Sequence, residues 1–207
     1  MDWFKIKNFV EYENDINKIK YKKYSQYYED GIIKEIFDNI GTTNKISCEF
    51  GFHNNECNTL LLMENEWKCL FIDEDKEQVN KFNTMYQKKY IYSKAINHSI
   101  SKENINTLLK TNDIIGDIDF LSIDIDSNDY YIMDIINVCN PRCICVEYNA
   151  SLGPNLSCTV PYDATRPNIY LDYWGTSYMS LINLADKKGY NLVAVESGVN
   201  LFFVRKD

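Results

Sequence analysis

The stretch Ile46-Ser47-Cys48-Glu49-Phe50-Gly51-Phe52-His53-Asn54-Asn55-Glu56-Cys57-Asn58 decides how this chain is read. Ile46–Phe50 is a short, mostly apolar run, which predicts a buried strand. Gly51 closes it, a polar loop follows, and Thr59-Leu60-Leu61-Leu62-Met63 predicts a helix. Working outward, the same order recurs. Upstream, Ile33, Ile36, Phe37 and Ile40 share one helical face, and Gly41 is a natural stop. Downstream, Trp67 to Ile72 predicts a second strand, closed by Asp73-Glu74-Asp75, and Val79, Phe82 and Tyr86 predict the next helix face. A third strand is predicted over Lys89 to Ile96, followed by a helix that Ser101 caps, carrying Ile105, Leu108 and Leu109. The fourth runs from Ile118 to Ile125, the fifth from Arg142 to Tyr148, with the helical face Ile132, Ile135, Ile136, Cys139 between them. A long loop from Asn149 to about Gly175 precedes a helix with Tyr178, Leu181, Ile182 and Ala185. Tyr190 to Val195 and Leu201 to Arg205 predict a closing hairpin.

Alternating strands and helices imply an α/β fold, a doubly wound, mostly parallel sheet of about seven strands ending in an antiparallel hairpin. Residues 1–24, rich in Lys, Asn and Tyr, are expected to form an N-terminal arm, and residues 25–207 one domain. The chain has 207 residues, 45% of them hydrophobic and 25% charged. That composition excludes a disordered segment or a disulfide mini-fold. The net charge of −8 argues against a general nucleic-acid binder. No run reaches about 18 apolar residues, and Met1-Asp2-Trp3-Phe4-Lys5 lacks the order of a signal peptide. The expectation is a cytoplasmic protein, without a membrane partner, whose seven cysteines are reduced thiols.

Ligands of such sheets sit at the carboxyl ends of the strands, where the winding reverses. Those ends are acidic here: Glu49, Asp73, Asp124, Asp126 and Glu147. Glu49 with Gly51, and an acid at Asp73 about twenty residues on, form the layout of an adenosine site, the second acid accepting from a ribose diol. The same residues also suit a generic strand–loop–helix. The G-x-G-x-x-G fingerprint is absent, Asn55 standing where a second glycine is expected, and no P-loop motif is present. Asp124 or Asp126, with Glu147 and Asn149, offer the oxygen ligands that Mg²⁺ or Mn²⁺ prefers; equally, Asp126 and Asp129 suit helix caps. His53 and His98 are the only histidines, each a candidate general base or a structural hydrogen-bonder. Cys143 and Cys145 share a strand face and read as core. Tyr162, Tyr170, Tyr173, Trp174 and Tyr178 in and after the late loop suit either stacking on a substrate or a lid packed on its own domain.

Taken together, the chain resembles a class I S-adenosylmethionine-dependent methyltransferase with its Rossmann-like sheet, and is most similar to the FkbM-like group. The residues that carry this are Ser25-Gln26 with Glu29-Asp30-Gly31, Glu49-Phe50-Gly51, Trp67 to Asp73, Asp119 to Asp126, and the hairpin from Tyr190 to Arg205. The resemblance implies that Gly51, His53 and the loop to Asn55 cradle the methionine end, that Glu49 faces its amine, and that Asp73 holds the ribose. It places Ala95, Ile96 and Asn97 near the adenine, adds Gln26 and Glu74 to the cofactor set, and sets Asp124 beneath the reacting methyl group. Asp124, Asp126, Glu147 and Asn149 are the implied metal ligands; Asp124, His98 and His53 are the catalytic candidates. The expected activity is O-methylation of a small polar acceptor, a sugar or glycan precursor, by an enzyme able to form a homodimer. The alternatives are a degenerate adenosine- or protein-binding module, favoured by Asn55, and a dinucleotide enzyme, disfavoured by the missing glycines.

Overall fold

The computed structural model describes residues 20–165, 173–196 and 198–207. Residues 1–19 of the expected arm, Tyr170 of the late loop and Ser197 of the hairpin lie outside them. The elements in order are α1 (Glu29–Ile40), β1 (Ile46–Phe50), α2 (Leu60–Glu64), β2 (Lys68–Asp73), α3 (Lys76–Tyr86), β3 (Lys94–Asn97) and α4 (Ile105–Thr111). There follow β4 (Gly116–Ile123), α5 (Asp129–Ile135), β5 (Cys139–Glu147), α6 (Tyr178–Lys187), β6 (Tyr190–Glu196) and β7 (Asn200–Arg205). The seven strands form one sheet in the order β3-β2-β1-β4-β5-β7-β6. All neighbours are parallel except β7, which inserts antiparallel between β5 and β6. This is the doubly wound sheet with an antiparallel hairpin that the alternation predicts.

Both faces of the sheet are covered, so the central strands are apolar throughout. On one side Ile105 and Leu109 of α4, Ile132 and Met133 of α5, and Leu181 and Leu184 of α6 pack on Leu121, Ile123, Ile144 and Val146. On the other, Ile33 and Phe37 of α1, Leu60 of α2 and Phe82 of α3 cover Phe71, Phe120, Cys145 and Phe202. Phe52, Phe71 and Phe82 form an aromatic triangle with centroids 4.4 to 5.4 Å apart. Such ring pairs favour edge-on geometry, and here they tie the loop after β1 to α3. Cys143 and Cys145 are buried in this packing, as expected of core thiols.

A polar clasp fixes the opposite, amino-end rim of the sheet. Asp119 of β4 is fully buried and accepts from the backbone N–H groups of Thr43, Asn44 and Lys45 at 2.7 to 3.0 Å. Arg142 of β5 donates to Asp119 at 3.0 Å and to the carbonyls of Ile40 and Gly41 that end α1. A cation is favoured at those free carbonyls. Burial alone would raise the Asp119 pKa. The three N–H groups and the guanidinium outweigh burial and hold it below the usual carboxylate range.

Several boundaries differ from the sequence expectation: β4 runs from Gly116 to Ile123 and not from Ile118 to Ile125, and β5 starts at Cys139, so α5 ends at Ile135 and Cys139 leaves the expected helical face for the strand. β3 starts at Lys94, not Lys89, because α3 runs on into a turn: Tyr90 N–H bonds to Tyr86 O, and Ser93 N–H to Tyr90 O. Ile91 and Tyr92 have strand-forming side chains but stand 71% and 78% exposed on that turn. Without a partner strand, propensity decides nothing. Ser101 does not cap α4. It donates its own N–H to Asn104 Oδ1, and Asn104 precedes the helix. No helix among the described residues is long and apolar enough to cross a membrane.

Candidate functional site

β1 is flanked by β2 on one side and β4 on the other, so the winding reverses at the carboxyl ends of β1 and β4. A cavity of about 310 Å³ opens there. Its lining includes Gln26, Glu49, Gly51, His53, Asp73, Asp124, Asp126 and Glu147, as sequence reasoning proposed, and also Glu56, Cys57, Asn58 and Asn200, which it missed.

Gly51 is dictated by the chain itself. Its φ is +69°, and a Cβ there would lie 1.5 Å from the carbonyl oxygen of Asp124. The Cβ position is thus taken by the neighbouring backbone, while Gly51 itself lines the cavity. Asp124 N–H in turn bonds to Phe50 O at 3.1 Å, which locks the two strand ends together. Asn55 needs no glycine: it is not left-handed, and the turn is closed by paired bonds between His53 and Glu56 at 3.0 and 3.1 Å. Its side chain stays at the exposed tip.

Glu49 lines the cavity but is buried with both oxygens engaged. Oε1 accepts from Asn58 N–H at 2.8 Å; Oε2 accepts from Thr59 N–H at 2.9 Å, the Thr59 hydroxyl and the Cys57 thiol. Burial raises its pKa and these donors oppose the rise. The carboxylate thus ties the loop before α2 back onto β1 while remaining part of the cavity lining. Asp73 is half-buried at the end of β2; Asp75 N–H pins its Oδ1 at 2.7 Å and leaves the group beside the cavity. Ala95, Ile96 and Glu74 are not brought into the lining. Asn97 instead braces the turn after β2, donating to the carbonyls of Asp73 and Glu74 at 3.0 and 2.7 Å.

The acids at the ends of β4 and β5 converge. One oxygen from each of Asp124, Asp126 and Glu147 lies within 4.8 Å of the others. Asp126 holds a left-handed φ of 61°. That conformation is unusual for a non-glycine residue; it ends β4 early and turns the chain towards α5. Burial and the neighbouring acids push Asp124 well above the usual carboxylate range and Glu147 up to about 11. Burial and like charge therefore both favour a shared proton on the pair. Asp129 accepts from Ile125 N–H at 2.8 Å; burial lifts it to about 7. Asn149 is not among the residues lining the cavity: Oδ1 accepts from Ser151 N–H at 2.9 Å and Nδ2 donates to Trp174 O at 3.0 Å, contacts that brace the late loop.

Of the two histidines, His53 lines the cavity, with Nδ1 accepting from Asn55 N–H at 3.3 Å. His98 lies outside it, exposed, with Nδ1 2.7 Å from Ser99 O. A carbonyl only accepts, so that nitrogen carries the proton. The late loop is anchored on the domain in its first part. Tyr131 donates to Val160 O at 2.9 Å, and Tyr162 donates to Glu103 at 2.6 Å while stacking edge-on against Tyr131. Tyr173 stays exposed.

Ser25, Glu29 and Asp30 explain their motif. Asp30 Oδ2 accepts from the N–H groups of Lys23, Tyr24 and Ser25 at 2.7 to 3.1 Å, and Ser25 Oγ accepts from Asp30 N–H at 3.1 Å. This reciprocal cap at the start of α1 carries Gln26 to the cavity mouth.

The chain is similar to a methyltransferase from Geobacter sulfurreducens at 12% identity, TM-score 0.56, over 96% of this chain and 86% of that one. It is also similar to the N-terminal domain of EvdMO1 with SAH bound, at 12% identity and TM-score 0.55 over 87% and 80% of the two chains. The same EvdMO1 domain, crystallised in the presence of SAH and D-fucose, matches at 10% identity and TM-score 0.54 over 96% of each chain. No family model and no curated protein matches the chain. At these identities the likeness is one of architecture, and it shows that the chain has the Rossmann-like fold of the methyltransferases.

Proposed function

We propose that the protein is an S-adenosylmethionine-dependent O-methyltransferase of the FkbM-like group, acting on a small polar acceptor such as a sugar or glycan precursor. The observation that carries this reading is the cavity itself. It sits at the switch point of a methyltransferase sheet, with the Gly51–Glu56 loop on one side, Asp73 on another and the acids of β4 and β5 as its floor. Its volume, about 310 Å³, suits the buried part of a small ligand. The EvdMO1 structure in the presence of SAH and D-fucose supports a sugar-like acceptor.

Bound S-adenosylmethionine supplies an electrophilic methyl group on a sulfonium sulfur. The residues of this chain bind and orient. Gln26 and the His53–Glu56 turn would hold the methionine end, and Asp73 would accept from the ribose hydroxyls. With the cofactor bound, the residues around the cavity would contribute mainly by positioning the acceptor hydroxyl for transfer. His53, the histidine of the cavity, takes the hydroxyl proton. The acids fit a hard divalent ion, Mg²⁺ or Mn²⁺. Every donor is oxygen, and Glu147 Oε2 is buried with no hydrogen-bond partner. Such an ion supplies Lewis acidity to an acceptor oxygen. On this reading residues 25–207 are one domain, working in the cytoplasm on a small molecule, without nucleic acid or membrane as partner.

Asp73→Ala tests the assignment. Losing an acceptor of charge-assisted bonds costs about 1.5–3 kcal/mol, tenfold or more in affinity. Calorimetry with S-adenosylmethionine and S-adenosylhomocysteine is expected to show that loss for both. Wild-type affinity in the variant removes Asp73 from the site.

A further inference from the structure

We propose that Asn200, the first residue of β7, is a fourth oxygen ligand of the cation site formed by Asp124, Asp126 and Glu147, and that Glu29 is the positioning residue that aims it. The inference rests on the cation part of the proposed function and adds a ligand from an unexpected strand.

The sheet places the three groups in a row. Glu147 and Asn200 are direct cross-strand partners of the antiparallel β5–β7 pair. Side chains at such positions share a face, with Cβ atoms about 5 Å apart. Ile123 pairs with Val146 in the parallel β4–β5 ladder, which puts Asp124 beside Glu147 on that same face. All three line the cavity.

Asn200 is 2% exposed, and its Oδ1 is buried without any hydrogen-bond partner. Its Nδ2 donates to Glu29 Oε1 at 3.1 Å. Glu29 Oε1 accepts from the amide nitrogen, so the amide oxygen faces away from Glu29. Glu29 is itself held: it is fully buried, and Oε2 accepts from Tyr27 N–H at 2.8 Å. The amide oxygen is therefore oriented by a fixed group and not by chance.

An unsatisfied buried acceptor costs about 1–3 kcal/mol. Here two of them, Asn200 Oδ1 and Glu147 Oε2, line one small cavity. No lysine or arginine is among the residues lining it. A hard cation satisfies both orphan oxygens and the carboxylate cluster together, and an amide oxygen beside carboxylates is a normal part of such a ligand set. Asn149, the expected amide ligand, is instead occupied as the cap of the short turn Ala150–Leu152.

The test is Mn²⁺ binding to the full chain without cofactor, read by electron paramagnetic resonance and calorimetry, with Mg²⁺ as competitor. Wild type is expected to bind one Mn²⁺ that Mg²⁺ displaces. Asn200→Leu is expected to weaken it about tenfold or more, and Glu29→Gln, whose amide no longer forces the orientation, by about tenfold. Far-UV circular dichroism in chelator checks that each variant is folded. If wild type binds no Mn²⁺, the cation reading itself falls. If wild type binds and folded Asn200→Leu binds equally well, the acids alone make the site and Asn200 is not a ligand. Should Asn200→Leu not fold, unchanged Mn²⁺ affinity in Glu29→Gln overturns the aiming role.

Discussion

Gly51→Ala is expected to lose about 2–5 kcal/mol of stability, from about 1–3 for overpacking a rigid site and about 1–2 for a left-handed non-glycine residue. The new Cβ would sit 1.5 Å from the Asp124 carbonyl oxygen and 2.7 Å from its carbon. Neither is the movable end of a side chain. Relief requires the ends of β1 and β4 to separate, which breaks the Asp124 N–H bond to Phe50 O and shifts Asp124 within the site. Domains hold only about 5–15 kcal/mol in total, so the variant is expected to be poorly soluble or to unfold at much lower urea. A urea midpoint equal to wild type contradicts the close approach of the two strand ends.

Asp119→Ala is expected to cost about 3–5 kcal/mol, because removing one partner of a buried ion pair strands the other. Arg142 would keep its bonds to the carbonyls of Ile40 and Gly41 but lose its counter-charge, and three backbone N–H groups would lose their acceptor. The pH dependence follows from the sign of the shift. The folded-state pKa of Asp119 lies below the usual value, which is about 3.9. Its contribution is therefore fully present above that value and is lost as pH falls through the lower, folded-state pKa. Wild type is expected to lose stability as the solution is acidified below about pH 4, and Asp119→Ala to lose less over the same interval. Parallel pH profiles of the two proteins would remove Asp119 from the acid response.

The parts of this molecule that are legible in sequence are those set by local pattern. The alternation of apolar runs with helical faces places nearly every element, since one run packs its own face against the sheet. Acids that end strands come together because parallel strands share one carboxyl rim; Asp73, Asp124 and Glu147 meet at the cavity for that reason alone. What stays hidden depends on registration or competition. Asn200 lies just before the expected last strand, and only the antiparallel register sets it opposite Glu147. Glu49 stands at the end of its strand beside the cavity, but its bonds to the N–H groups of Asn58 and Thr59 depend on how the following loop folds back. Asp119 and Arg142 each look like ordinary strand residues; only the neighbouring positions of β4 and β5 make them a clasp for the end of α1. Ile91 and Tyr92 mislead because strand propensity is the preference for a packed, pleated surface, and none is there.

The direct measurement is a calorimetric titration of the purified chain with S-adenosylmethionine and S-adenosylhomocysteine, first with Mg²⁺ and then with chelator. Saturable binding of both at micromolar concentration, one ligand per chain, is the predicted result. The absence of binding by either ligand under both conditions would contradict a methyltransferase site at the ends of β1 and β4.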